Sequence, residues 1–460
     1  MSLRDFSSII SSINEDNNVF ISGIGGTGKS FIMKQIYDYI LTKYKPEHCV
    51  LTSTTGVSAY NIGGKTIHSW SGCVLPAKFP HDVEKFLYNY CDKIMRNHTY
   101  RKRWKNIKYI FIDEISMLGA TYLDLLDSVA RYVHADKKGN VSPLPFGGIK
   151  VICSGDFLQL PPVGDDYCFN SPTWKELNFK CFILEKAFRF TDTEWIECLK
   201  RVRKGALTNN DINLFNKCHQ NYLNQEYLSE PGEGIQKIIP TKIYSLKKDV
   251  EEINNDELEK LKTQSQLFTS FDEVQIISDE QIGKENIKYS CDEDQQNKLD
   301  QSLNIKRQIL LKVGAQVMLK VNLDTNIGLV NGSRGVVLNF VIDPESNEVC
   351  VRVKFKNDIH TIKPYIFELK EDNKILTRKM IPLVLAYALT VHLSQGSTLD
   401  CCIVDCGNSI FSDNQAYVAL SRVRNPEGLF LSSFNKYKIK ANKEALIFDN
   451  ELRKTAILIN

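Results

Sequence analysis

Residues 19–30 read VFISGIGGTGKS. Val19, Phe20 and Ile21 form a short apolar run with β-branched and aromatic side chains, as expected of a strand buried on both faces. Glycines follow, and then FIMKQIYDYILTKY from Phe31, whose apolar residues recur at helical spacing. Gly23, Gly28, Lys29 and Ser30 satisfy G-x-x-x-x-G-K-[ST], in the strand–loop–helix context that its chemistry requires. Through Gly23, Gly25, Gly26, Thr27 and Gly28 the backbone N–H groups can curl around an anion, the glycines putting no Cβ in the way. The new helix adds its own N–H groups and the positive end of its dipole. Lys29 then reaches the β- and γ-phosphates, and the Ser30 hydroxyl can ligate magnesium. A glycine-rich turn followed by a surface lysine is the structural alternative; the joint presence of pattern and context weighs against it. The stretch reads as a nucleoside-triphosphate site, with ATP and Mg²⁺ as expected ligands.

The chain around it has 460 residues, enough for about three domains with real cores. Hydrophobic residues at 43% and charged residues at 25% are those of a globular protein in water. No apolar run reaches the length of a membrane span. Nothing near the start looks like a secretory signal, and Arg4 and Asp5 do not fit a mitochondrial presequence. An intracellular location is expected, nuclear in a eukaryote, or host nucleus or cytoplasm for a virus. The 13 cysteines are scattered among apolar neighbours and read as buried thiols, not as a metal site. With a net charge of +3, contact with a polyanion has to use local patches and backbone donors.

Downstream, Cys49 to Thr52 reads as a second buried strand and Thr54, Thr55 and Gly56 as a turn. Gly63, Gly64, Lys65, Thr66 and His68 follow, with Trp70 as a stacking face. Small residues and hydroxyls suit a phosphate backbone; an ordinary loop over a core tryptophan suits the composition equally. Residues 73–105 look like an insertion with one helical pattern and the basic run RKRWK, which either grips nucleic acid, acts as an import signal or is a solvated face. YIFIDEIS, residues 109–116, is a strand ending in Asp113 and Glu114. There one carboxylate can orient hydrated magnesium while its neighbour takes a proton from the attacking water. IKVICSGD is a further strand, and Gln159 beyond it can read a γ-phosphate or position water. Strands alternating with helices, with ligand groups at the strand ends, indicate a doubly wound parallel sheet.

GIGGTGKS, TSTTGVSAYNIGGKTIHSW, IDEISML, PFGGIKVICSGDFLQLPPV, LEKAFRF, GAQVMLKVN with LVNGSRGVV, YALTVHLSQGSTLD and QAYVALSRVR occur in this order. Together they resemble the Pif-type (petite integration frequency) DNA helicases, relatives of RecD in the 5′-to-3′ branch of helicase superfamily one. The likeness runs from about residue 7 to residue 434. It implies an α/β architecture of two RecA-like domains, with nucleotide between them and single-stranded DNA across their tops. The first would span residues 1–190, with 73–105 as an inserted wedge subdomain. The second would span 191–305 and 381–460, with an SH3-like β-barrel inserted at 306–380, where short β-rich runs alternate with turn signals. Residues 263–305, rich in Gln, Asp, Glu, Lys and Asn, read as irregular.

The resemblance also assigns roles. Lys29, Glu114 and Gln159 would be catalytic, together with Arg189 and Arg422, which match arginines that cross the cleft to the γ-phosphate. A guanidinium fork neutralises charge on the transferring phosphoryl oxygens. Gln395 and Gly396 would join the loop in holding nucleotide, and Ser30 and Asp113 would hold the metal. Thr54, Thr55, Gly56, Thr66, His68, His392, Ser394 and Ser397 would contact DNA; the chain departs from the family at Leu393, where a lysine is usual. The implied activity is ATP-dependent 5′-to-3′ unwinding in replication, repair, recombination or telomere and genome maintenance. The alternatives are a DNA-stimulated translocase that unwinds little and a non-catalytic ATP-gated DNA-binding module. Implied partners are single-stranded and forked DNA and single-strand-binding or replication proteins, with no membrane and a monomeric state. The family's adenine-reading glutamine has no counterpart: Phe6 falls near its place, and no glutamine precedes Gln35.

Overall fold

The structure is a computed structural model that describes residues 6–75, 83–190, 192–224, 239–244, 247–276, 288–303, 305–324, 327, 329–355, 358–370, 374–394, 398–407 and 410–459. The chain forms two units. One comprises Met1–Phe190, Arg203–Gly205 and Lys440–Asn460; the other comprises Thr191–Val202 and Ala206–Ile439.

The first unit runs α1 (Ser7–Asn14), β1 (Val19–Gly23), α2 (Lys29–Leu41), β2 (Cys49–Ser53), α3 (Gly56–Asn61), β3 (Lys65–Thr66), α4 (Ile67–Ser71), α5 (Val83–Arg96), α6 (His98–Asn106), β4 (Tyr109–Asp113), α7 (Ala120–Val133), β5 (Lys150–Ser154), α8 (Pro172–Leu177) and β6 (Lys180–Leu184). Its sheet is parallel throughout, in the order Ile457–Ile459, β6, β1, β5, β4, β2, β3. Successive side chains of a strand point to opposite faces, so β1 sends Val19 and Ile21 one way and Phe20 the other. Val19 and Ile21 pack with Ile9, Ile32, Met33 and Ile36 beneath α1 and α2. Phe20 packs with Leu123 and Leu126 of α7 and with Trp174. The direction of winding reverses at β1, which lies between β5 and β6. In such sheets the ligand crevice opens beyond the carboxyl ends of the strands at that reversal.

Residues 73–105 carry two helices, α5 and α6. Cys73, Cys91, Ile94 and Trp104 join the core on the α7 face. Trp70 lies in that core too, 4.8 Å from the ring of Trp104 and 4% exposed, so it is not the stacking face expected for it. Its place is fixed because Arg103 donates to the carbonyls of Ser69 and Trp70, and Trp104 Nε1 to that of Ser71.

The second unit has its own parallel sheet, Ala388–Thr390, Thr241–Tyr244, Cys402–Cys406 and Leu429–Phe434 in that order. Between the first two of these strands in sequence lies an antiparallel region. It holds a five-stranded sheet (Ile359–Ile362, Val349–Phe355, Arg334–Ile342, Gln316–Leu319, Leu383–Leu385) and a four-stranded one (Lys288–Ser290, Phe271–Ile276, Lys374–Met380, Tyr365–Lys370). Ser265–Thr269 pairs with Gln308–Lys312. The antiparallel region thus begins at Ser265, not at residue 306, and the expectation of irregular chain at 263–305 is wrong for the residues described. Strands occupy Ser265–Thr269, Phe271–Ile276 and Lys288–Ser290, and a helix occupies Glu293–Leu303. Arg378 is the reason these polar segments hold a shape. It is fully buried, grips Asp272 at 2.9 and 2.6 Å, and donates to Asp300 and to the carbonyl of Ile305.

The chain ends differently from expectation as well. Residues 440–459 return to the first unit, where helix Lys443–Thr455 packs Ala445 and Leu452 into the core and Ile457–Ile459 extends the sheet. Eleven of the 13 cysteines are buried and none is disulfide-bonded. No helix among the described residues is long and apolar enough to cross a membrane.

Candidate nucleotide site

The loop after β1 turns through left-handed backbone at Gly26 (φ 85°) and Gly28 (φ 84°). A Cβ on Gly26 would lie 2.6 Å from Cβ of Arg189, so glycine is needed there for both conformation and space. Thr27 Oγ1 closes the loop on the carbonyl of Ile24 at 2.9 Å. Lys29 begins α2 buried, its Nζ donating to the carbonyls of Gly23 (2.7 Å) and Ile24 (3.1 Å). Burial pushes its pKa down, against the pull of Asp156, Glu114 and Asp113. The three carboxylates that act on it come from two other strand ends, those of β4 and β5.

Asp113 ends β4, 1% exposed. One carboxylate oxygen accepts from the Ser154 hydroxyl; the other, Oδ2, accepts no hydrogen bond from the described residues. A buried acceptor left in this state fits a cation ligand. Glu114 follows with φ 53°, ψ 43°, a costly conformation for a residue with a Cβ and one that gathers at functional sites. Its carbonyl receives Thr54 Oγ1 at 3.0 Å, which ties the turn after β2 to the acidic pair. Gln159 is buried, with its amide 3.4 Å from Asp156 Oδ2.

Asp156 was not singled out from the sequence, nor was Arg203. Asp156 is fully buried and takes three contacts from the Arg203 guanidinium, at 3.1, 3.0 and 2.6 Å. Arg203 gives its remaining reach to Asp449 at 2.7 Å. Asp449 also meets Arg453, which reaches Glu185. Burial opposes the charge on Arg203, but Asp156 and Asp449 more than offset it and hold its pKa above the ordinary value.

Arg189 is in the first unit, on the same side as the phosphate loop, so it does not reach the loop from a second domain. Strand β6, which ends five residues before it, neighbours β1, and Phe188 N–H donates to the carbonyl of Gly26 at 2.8 Å. Arg422 is in the second unit and 1% exposed, donating to the carbonyls of Val418 and Ser394 and to the hydroxyl of Ser421. Ser394 is buried with its hydroxyl on the carbonyl of Val391, so it is not the open phosphate donor expected. Gln395, Gly396, Ser397 and the His392 side chain lie outside the described residues. Thr55 and Thr66 cap α3 and α4, and the exposed His68 stacks on Tyr122 at 4.3 Å. Phe6 is fully buried among Ile9, Ile32 and Met33 and offers no edge to a base.

Residues 4–212 match the family model for PIF1-like helicases, and residues 294–340 match the model for the Pif1 helicase 2B domain. A curated relative, the ATP-dependent DNA helicase PIF1 of Danio rerio, is 32% identical over 99% of this chain. The chain is similar to the PIF1-like helicases over nearly its whole length. It spans 65% of the length of the Danio rerio PIF1. Among solved structures, Bacteroides sp Pif1 in complex with ADP-AlF4 superposes with a TM-score of 0.75, at 26% identity over 99% of this chain and 98% of that one. Bacteroides Pif1 with ADP-AlF3 and ssDNA gives a TM-score of 0.57, at 27% identity over 98% and 96%. In this chain the loop, the acidic pair and the glutamine all stand at or just past the carboxyl ends of strands in one parallel sheet.

Proposed function

We propose that this chain is the motor of an ATP-dependent DNA helicase that moves 5′ to 3′ on single-stranded DNA. The observation that carries the reading is the placement of the Lys29 loop, of Asp113 with its buried Oδ2 and of Glu114 at the carboxyl ends of the neighbouring strands β1, β5 and β4, with Gln159 beside Asp156. A DNA-binding module gated by ATP has no use for a water-activating carboxylate held in strained backbone. The two parallel-sheet units are read as RecA-like, the segment carrying α5 and α6 as a wedge, and the five-stranded sheet as an SH3-like barrel.

In this reading the loop N–H groups and Lys29 bind the triphosphate, Lys29 exchanging its two carbonyl partners for phosphate oxygens. Asp113 Oδ2 and the Ser30 hydroxyl would hold Mg²⁺, which neutralises phosphate charge when bound. Glu114 takes the proton from the attacking water, and Gln159 orients that water. Arg189 and Arg422 are proposed as the guanidinium groups that answer charge on the transferring phosphoryl; Gly25, Gln395 and Gly396 complete the nucleotide's surroundings. Thr54, Thr55, Gly56, Thr66 and His68, with His392, Ser394 and Ser397, are proposed to face DNA, Ser394 only after leaving its bond to Val391.

Phosphate release measured with and without single-stranded DNA, beside strand displacement, tests the reading. DNA should raise turnover many-fold, and Lys29→Ala should abolish it while leaving the fold intact. Stimulated turnover without displacement would make the chain a translocase; turnover that survives Lys29→Ala would overturn the site.

A further inference from the structure

Within the second unit a cavity of about 460 Å³ opens where its parallel sheet meets its antiparallel strands. The walls are largely apolar. Val250 and Leu258 come from helix Lys247–Lys260, Leu383 and Leu385 from an antiparallel strand, and Leu389 from the parallel sheet. Lys320 stands in this wall, one residue past strand Gln316–Leu319 and 7% exposed. Its backbone N–H is held by the carbonyl of Pro382 at 3.0 Å, but its ammonium makes no hydrogen bond or ion pair with the described residues. The other charged groups lining the cavity are satisfied. Lys306 pairs with Glu251 at 3.1 Å, and Arg307 pairs with Asp300 at 2.9 Å. One positive charge is left over, and it is the most deeply buried of the three cations.

A buried charge without a counter-charge is disfavoured and is normally paired or neutralised. Burial alone pushes the Lys320 amine down to about 8. The volume falls within the range of small-molecule sites, and apolar walls with one placed polar group are their usual make-up. We propose that the cavity binds a small apolar molecule carrying a single anionic group, a medium-chain carboxylate being the model, with the carboxylate on Lys320 and the chain among the leucines. Such a ligand would brace the junction of the two sheet systems. The site is separate from the nucleotide loop and stands whether or not the motor reading does.

Isothermal titration of the full chain with sodium octanoate and with octan-1-ol tests this at pH 7. Octanoate should bind at least tenfold more tightly than the alcohol, and that preference should fade as the pH is raised to 10 and Lys320 loses its proton. Lys320→Met should abolish the preference, whereas Lys306→Met should keep it. Equal binding of acid and alcohol by the unaltered protein, no heat from either, or a preference that persists at pH 10 or in Lys320→Met would each overturn the proposal. The first two readings need no variant, so a misfolded Lys320→Met leaves the test intact.

Discussion

Arg203 holds two carboxylates that lie 47 and 246 residues away in sequence, Asp156 and Asp449. Truncating it leaves Asp156 buried without its guanidinium and Asp449 with Arg453 alone, and breaking such a buried pair typically costs about 3–5 kcal/mol. Arg203→Ala should therefore shift the denaturant midpoint of the first unit strongly. Arg203→Lys cannot reproduce the fork and should recover only part of the loss. An unchanged midpoint for Arg203→Ala would mean the network contributes nothing. Neither partner was visible in the sequence, because nothing local marks an arginine whose partners come from a strand end and a distant helix. Lys29, Asp113 and Glu114 were visible for the opposite reason: their spacing is set by one loop and one strand. Phe6 was ambiguous, since an apolar residue before a helix looks alike whether it faces a base or a core. The absence of the family's adenine-reading glutamine has a consequence for base choice. The exposed aromatic near the loop, Phe188, lies 3.9 Å from where a Cβ on Gly28 would stand. It can stack but cannot tell adenine from guanine by hydrogen bonds. We expect kcat/KM for ATP and GTP, at saturating DNA, to differ by less than about a hundredfold; a larger ratio would show that a hydrogen-bonding reader exists.

Among elements, the strand Ile457–Ile459 has an effect out of proportion to its length. It pairs with β6, whose carboxyl end leads directly to Arg189. Ile459 is buried, and Glu185 N–H donates to its carbonyl at 2.9 Å. Deleting residues 457–460 removes this pairing and one buried side chain, worth about 2–5 kcal/mol together. The melting temperature should fall, and nucleotide affinity should weaken with it because the Glu185–Arg189 segment lines the loop. A deletion that melts normally would show the strand to be ornamental. The sheet strands of the first unit were legible because strands buried on both faces are written as unbroken apolar runs. The strands at 265–276 were not: Phe268 and Val274 are buried, but Gln, Ser, Asp and Glu surround them. One-sided strands whose order rests on a distant Arg378 look like loop in a local window.

For the molecule as a whole, the direction of travel is the property that separates branches of the superfamily. Duplexes with a single-stranded tail on one side only should be unwound when the tail is 5′; a requirement for a 3′ tail would overturn the branch while leaving every nucleotide contact in place. The order of synthesis adds a separate demand. The chain builds six strands of its first sheet, departs to make the entire second unit, and returns to lay down the seventh. On a ribosome, the usual sequence in which an N-terminal domain finishes folding before the next emerges is not open to it. Until residues 440–459 appear, β6 offers an unpaired edge of the kind that templates aggregation, and Asp156 has no Arg203–Asp449 pair complete around it. The nascent first unit thus has to keep that edge from other chains throughout the translation of the second.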